Sequence, residues 1–101
     1  MEIYNKLVRD KIPEILDKKG ISYEKRIAFP EEYKVELIKK LVEEVQEFSQ
    51  AGDPEELADV VEVIEALKQL FEYSDTETIR QKKRKERGGF GERIILKGQK
   101  G

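Results

Sequence analysis

Through the middle of this chain, apolar residues recur at the three- and four-residue steps of an α-helix. Leu37, Ile38, Leu41, Val42, Val45 and Phe48 form one stripe, and Leu57, Val60, Val61, Ile64, Leu67 and Phe71 form a second. The first predicts a helix over 31–50 introduced by Pro30, and the second a helix running to about Tyr73. Between them stands Ala51-Gly52-Asp53-Pro54. Gly52 suits a left-handed helix end, Asp53 an N-cap, and Pro54 a first helical position. Two long helices joined by so short a connection are expected to fold back as an antiparallel hairpin.

The flanking segments are less regular. Pro13, in a first turn that tolerates it, and Gly20, as a left-handed cap, predict a helix over 11–19. Residues 21–28 alternate weakly, and a short strand or an extended connector fits them equally. Ser74 and Asp75 compete to cap a last helix over 76–87, in which Ile79 is the only large apolar residue and Gly88-Gly89 the stop. Phe90 and Ile94-Ile95-Leu96 read as a short extended segment within 92–97 or a packed tail. The expected fold class is all-α, an antiparallel bundle of about four helices forming one domain over 1–101. So short and charged a bundle buries little apolar area, and a homodimer or homotetramer built on the long helices is expected.

Composition narrows the chemistry. The 101 residues include no Cys, His or Trp, which removes disulfides, thiol nucleophiles, Ser-His-Asp triads, His or Cys zinc sites and imidazole acid–base catalysis. No run of 18 apolar residues and no leader pattern is present, so a soluble, cytoplasmic chain with no membrane partner is expected. The net charge of −2 hides a partition: residues 1–30 carry 7 basic and 5 acidic groups, residues 31–79 carry 4 and 15, and residues 80–101 carry 9 and 2. An acidic middle with basic ends does not suit a plain DNA-binding domain. It suits a site where acids hold cations and bases meet an anion.

At about 100° per residue, Glu44 falls just outside the apolar arc of the first long helix, with Glu47 a step further round. On the second, Glu56 falls inside the apolar arc and Asp59 on its border. In an antiparallel pair, facing positions have residue numbers with a constant sum, and Glu44 with Asp59 and Glu47 with Glu56 share the same sum. All four carboxylates should converge about two turns from the bend, where protons or a cation must hold them together. Oxygen ligands with no His or Cys favour Mg²⁺, with Mn²⁺ as a substitute, over zinc. A plainer account stands beside this one. Glu56 lies three residues after Asp53 and completes a capping-box spacing, and acids near a helix start are favoured by the dipole.

Glu43-Glu44-Val45-Gln46-Glu47 followed by Glu56-Leu57-Ala58-Asp59 resembles the E-E-x-x-E … E-x-x-D signature of the MazG-like all-α nucleoside triphosphate pyrophosphohydrolases, a superfamily that includes phosphoribosyl-ATP pyrophosphohydrolase. The opening Tyr4-Asn5-Lys6-Leu7-Val8-Arg9-Asp10-Lys11-Ile12-Pro13 and the closing Lys82-Lys83-Arg84-Lys85-Glu86-Arg87-Gly88-Gly89-Phe90 resemble one small branch of it, so the likeness covers nearly the whole chain. One departure is that only eight residues separate Glu47 from Glu56, fewer than is usual in the family. The resemblance implies Mg²⁺-dependent cleavage between the α and β phosphates of a nucleoside triphosphate or a related substrate, giving a monophosphate and pyrophosphate, with house-cleaning of noncanonical nucleotides as one role. It implies Glu44, Glu47, Glu56 and Asp59 as metal ligands and Glu43, Glu44 and Glu47 as catalytic residues, Glu43 orienting water or serving an outer shell.

Residues 80–87 hold six basic groups in eight positions, and such a run alone reads as a solvated helix or a nucleic-acid patch. The alternative function is therefore a nucleic-acid-binding helical module, although nucleic acid is not the expected partner. Ile79, Lys83 and Arg87 share one helical face; if Ile79 points inward, Lys83 and Arg87, with Lys82, become triphosphate contacts. Lys6, Arg9 and Lys11 form a second basic set, beside an Asp10 expected to cap a helix or pair with a base. For Phe90 and Tyr4, packing is expected in preference to stacking on a base.

Overall fold

The computed structural model, which describes residues 5–99 and 101, is all-helical: α1 (Ile12–Lys18), α2 (Pro30–Ala51), α3 (Pro54–Lys68) and α4 (Thr76–Arg87), with a single 3-10 turn at Phe71–Tyr73 and no strand among the described residues. Local chemistry accounts for four of the eight helix ends. Gly20 (φ +70°) donates its N–H to the Asp17 carbonyl at 3.1 Å while Ile21 reaches the Leu16 carbonyl at 3.0 Å, the paired bonds of a Schellman end to α1. At the start of α2 the Phe29 N–H donates to Glu32 Oε1 at 3.2 Å, and Pro30 needs no donor there. Gly52 (φ +64°) closes α2 with its N–H on the Phe48 carbonyl at 2.7 Å, and Asp53 Oδ1 accepts the Glu56 N–H at 2.9 Å to open α3.

With only Gly52 and Asp53 between them, α2 and α3 double back on each other. Both ends of the pair report it: Lys34 near the start of α2 lies 3.4 Å from Glu72 and 5.4 Å from the centre of the Tyr73 ring, both just past α3. Leu37, Val60 and Val63 are the buried apolar residues at the seam. Helical angles measured from Leu37 and Val60 then separate two flanks. Val35, Ile38, Val42 and Val45 of α2 and Leu57, Val61 and Ile64 of α3 lie to one side, and all seven are exposed. Glu43, Glu44 and Glu47 of α2 and Glu56 and Asp59 of α3 lie to the other. Because the helices are antiparallel, the hairpin has one apolar face and one acidic face.

Several expectations are corrected. Helix α3 ends at Lys68 rather than near Tyr73, because Leu70 turns extended (φ −72°, ψ 141°) and the 3-10 turn carries Tyr73 back towards Lys34. Phe71, counted in the α3 stripe, is 93% exposed. The segments 21–28 and 92–97 form no strand, since no neighbouring strand is present among the described residues to complete a ladder, so the connector reading of 21–28 holds. Helix α4 has no buried residue and Ile79 stands half exposed: one apolar side chain on a helix of charges provides too little area to dock it. Phe90 is 99% exposed and does not pack. Asp10 caps nothing, the N-cap of α1 being Lys11 without a side-chain bond. Tyr4 lies outside the described residues.

The result is elongated. The radius of gyration is 17.9 Å and the extents are 56 × 32 × 22 Å, against about 13 Å for the radius of a compact chain of this length. No helix among the described residues is long and apolar enough to cross a membrane. Asp53→Ala removes the cap that starts α3 and is expected to cost about 1 kcal/mol, read as a lower urea midpoint at unchanged slope.

Candidate functional site

The acidic face of the hairpin gathers carboxylates from both helices. One oxygen each from Glu44, Glu56 and Asp59 lies within 4.8 Å of the others. Glu44 is buried, at 6% exposure, although its neighbours on that flank are not. Its Oε1 sits 3.3 Å from Lys40 Nζ one turn earlier, while its Oε2 is buried with no hydrogen-bond partner among the described residues. Glu56 Oε2 is likewise buried and unpartnered, so the Glu56 side chain joins the cluster rather than returning to Asp53 to complete a capping box. Glu47, expected as a fourth member, is exposed and lies outside this trio of oxygens, at its edge beside Glu56. Glu43 is turned towards bases: Lys6 Nζ donates to its Oε1 at 2.7 Å, and Lys40 Nζ stands 3.5 Å from the same oxygen.

The electrostatics follow from this placement. Burial pushes the Glu44 carboxyl up from its ordinary range, the negative charges of Glu47 and Asp59 add to the shift, and Lys40 opposes it. Burial also raises Glu56, reinforced by Asp53, Asp59 and Glu44. Glu43 goes the other way, held low chiefly by its hydrogen bond from Lys6. Two acids are thus poised to take a proton or a cation, next to one that stays ionised.

Basic groups approach from the N-terminal segment. Arg9 Nη2 donates to Asp59 Oδ1 at 2.7 Å, and with Lys6 on Glu43 it pins residues 6–9 across the acidic face. Lys11, Lys82, Lys83 and Arg87 make no hydrogen bond or ion pair with these acids. Helix α4 begins at the opposite end of α3, where Lys68 Nζ meets Glu77 Oε2 at 3.4 Å, about 14 Å of helix from Asp59. With Ile79 exposed, Lys83 and Arg87 are not drawn to the core edge. The site residue that pattern reasoning passed over is Lys40. Its spacing of three and four from Glu43 and Glu44 was visible, but the same spacing marks an ordinary solvated pair.

The donor set suits a hard divalent ion. Oxygens about 2.1 Å from Mg²⁺ in an octahedron lie roughly 3 to 4.2 Å apart, within the span of the three carboxylates, and two buried oxygens have no hydrogen-bond partner among the described residues. Comparisons with protein-family models, curated proteins and solved structures find no match to this chain.

A carboxyl raised above its unfolded value favours folding most below the unfolded value, and that contribution falls away as pH climbs through the raised folded value. Glu56→Gln, assayed with chelator by urea unfolding, should be more stable than the parent at pH 7 and close to it at pH 4. A variant less stable than the parent at pH 7 would contradict the crowding of charges described here.

Proposed function

We propose that this chain is a divalent-metal-dependent nucleoside triphosphate pyrophosphohydrolase of the MazG-like kind, cleaving between the α and β phosphates. The observation that carries the reading is the trio Glu44, Glu56 and Asp59, with two buried carboxylate oxygens that have no hydrogen-bond partner among the described residues. An unpaired acid held between helices is costly unless a ligand compensates it. The resemblance of residues 43–59 and of both terminal blocks to that superfamily agrees with it.

In this reading Glu44, Glu56 and Asp59 hold Mg²⁺, or Mn²⁺ in its place, and Glu47 completes the set from the exposed edge. The ion supplies Lewis acidity towards phosphate oxygens and a more acidic water. Glu43, kept ionised by Lys6, accepts a hydrogen bond from the attacking water and orients it. Arg9 and Lys6 lie beside the acids and meet the charge that builds on the departing pyrophosphate. Lys11, Lys82, Lys83 and Arg87 serve only after a rearrangement or from another copy. A panel of nucleotides incubated with Mg²⁺ tests the reading by release of pyrophosphate. Glu44→Gln and Asp59→Asn should each lower the rate by about a hundredfold or more, and undiminished release would remove the site. The exposed basic run on α4 favours a second reading, a nucleic-acid module, recognisable by salt-sensitive binding that ignores both substitutions.

We also infer a homodimer, or a pair of dimers, closed through the apolar face of the hairpin. The chain exposes 9743 Å², against about 5,900 Å² for a folded monomer of its mass. A large obligate interface buries roughly 2,000 to 5,000 Å² over both partners, about 1,000 to 2,500 Å² from each, which would cover a substantial part of this excess. Light scattering should report a multiple of 11.8 kDa, and Val42→Glu, in the middle of that face, should shift it towards the single chain. A single-chain mass for the parent would refute the assembly.

A further inference from the structure

Lys40 differs from the other basic residues at this site in being on the same helix as the acids it serves. Its side chain is 19% exposed, and its ammonium is shared between Glu43 Oε1 and Glu44 Oε1, at 3.5 and 3.3 Å. Arg9 reaches Asp59 from outside the hairpin, and Lys6 reaches Glu43. Five carboxylates, Glu43, Glu44, Glu47, Glu56 and Asp59, face these three cations, which leaves two negative charges, the charge of one divalent ion. Lys40 and Arg9 also sit on oxygens of Glu44 and Asp59 that such an ion would claim.

We infer that Lys40 and Arg9 are resident counter-cations: they hold Glu43, Glu44 and Asp59 in the metal-free chain and turn to phosphate oxygens once a divalent ion takes the carboxylates. The inference rests on the pyrophosphohydrolase reading and adds to it a phosphate contact, Lys40, and an exchange of partners. The chemistry of each group suits that exchange. An ammonium on a flexible stem trades one oxygen anion for another without moving its helix, and a guanidinium grips phosphate with two parallel bonds as readily as carboxylate. A carboxylate whose charge is spent on a metal holds either cation less strongly, so the same event that loads the metal releases the anion contacts.

The test is calorimetry on the full chain at low ionic strength, titrating Mn²⁺ first and inorganic pyrophosphate into the Mn²⁺-loaded protein second. Removing a competing charge at contact distance should tighten Mn²⁺ binding about fivefold or more in both Arg9→Gln and Lys40→Met. Pyrophosphate should bind about tenfold more weakly to each variant, with Arg9→Lys near the parent for Mn²⁺. Arg9→Gln touches only an exposed pair, so it keeps the test intact if Lys40→Met unfolds. A parent that binds Mn²⁺ while neither folded variant binds it more tightly overturns the counter-cations and leaves the metal site standing. Tighter Mn²⁺ with unchanged pyrophosphate overturns the exchange of partners. A parent with no affinity for Mn²⁺ overturns both this inference and the function it rests on.

Discussion

The arrangement turns on one buried charge. Glu44 lies in the seam between α2 and α3, and taking a carboxylate out of water costs several kcal/mol unless neighbours compensate. Lys40 compensates one of its oxygens, and no group among the described residues compensates the other. The environment extends outwards from there: Glu56 and Asp59 crowd it from α3, and Arg9 and Lys6 are drawn over from the N-terminal segment by the resulting field. The placement of residues 6–9 is in this sense a consequence of the acids, made by ion pairs across half the length of the chain.

The same hairpin explains why the remainder of the molecule is so open. Its seam is occupied partly by carboxylates, so the apolar positions of α2 and α3 are shared between a narrow buried line and an exposed flank on the opposite side. Helix α1 and helix α4 bring no wide apolar stripe of their own to widen that line. Charge dominates α4, which meets α3 through the Lys68–Glu77 pair, while the seven-residue α1 follows the segment that Arg9 ties to Asp59. An acidic side and an oily side on one two-helix unit leave the acids accessible to small ligands while the other side is available for assembly.

Much of this was legible in the residues. Pro30, Gly52, Asp53 and Pro54 mark helix ends through backbone chemistry that works locally, and α2 and the start of α3 lie within a residue of where they point. Shared register sums for the acid pairs anticipated the meeting of Glu44, Glu56 and Asp59, because an antiparallel pair with a two-residue link has little freedom to slip. What was not legible depended on distant partners. Leu70 continues the α3 periodicity, and only the pull of Tyr73 towards Lys34 distinguishes a turn from another helical step. Lys40 has the spacing of any surface pair until Glu44 is known to be buried. Ile79 invited a docked α4, yet a lone apolar residue has no groove to fill.

The link of Gly52 and Asp53 acts as a gear setting. Each residue added to or taken from the helical turns beside it would rotate the rest of its helix by about 100° and advance it by about 1.5 Å relative to its neighbour. One such step would swing Glu56 and Asp59 off Glu44 and turn Leu57, Val61 and Ile64 away from the flank they share with Val42. Length at this corner thus governs the acid pocket and the oily side together.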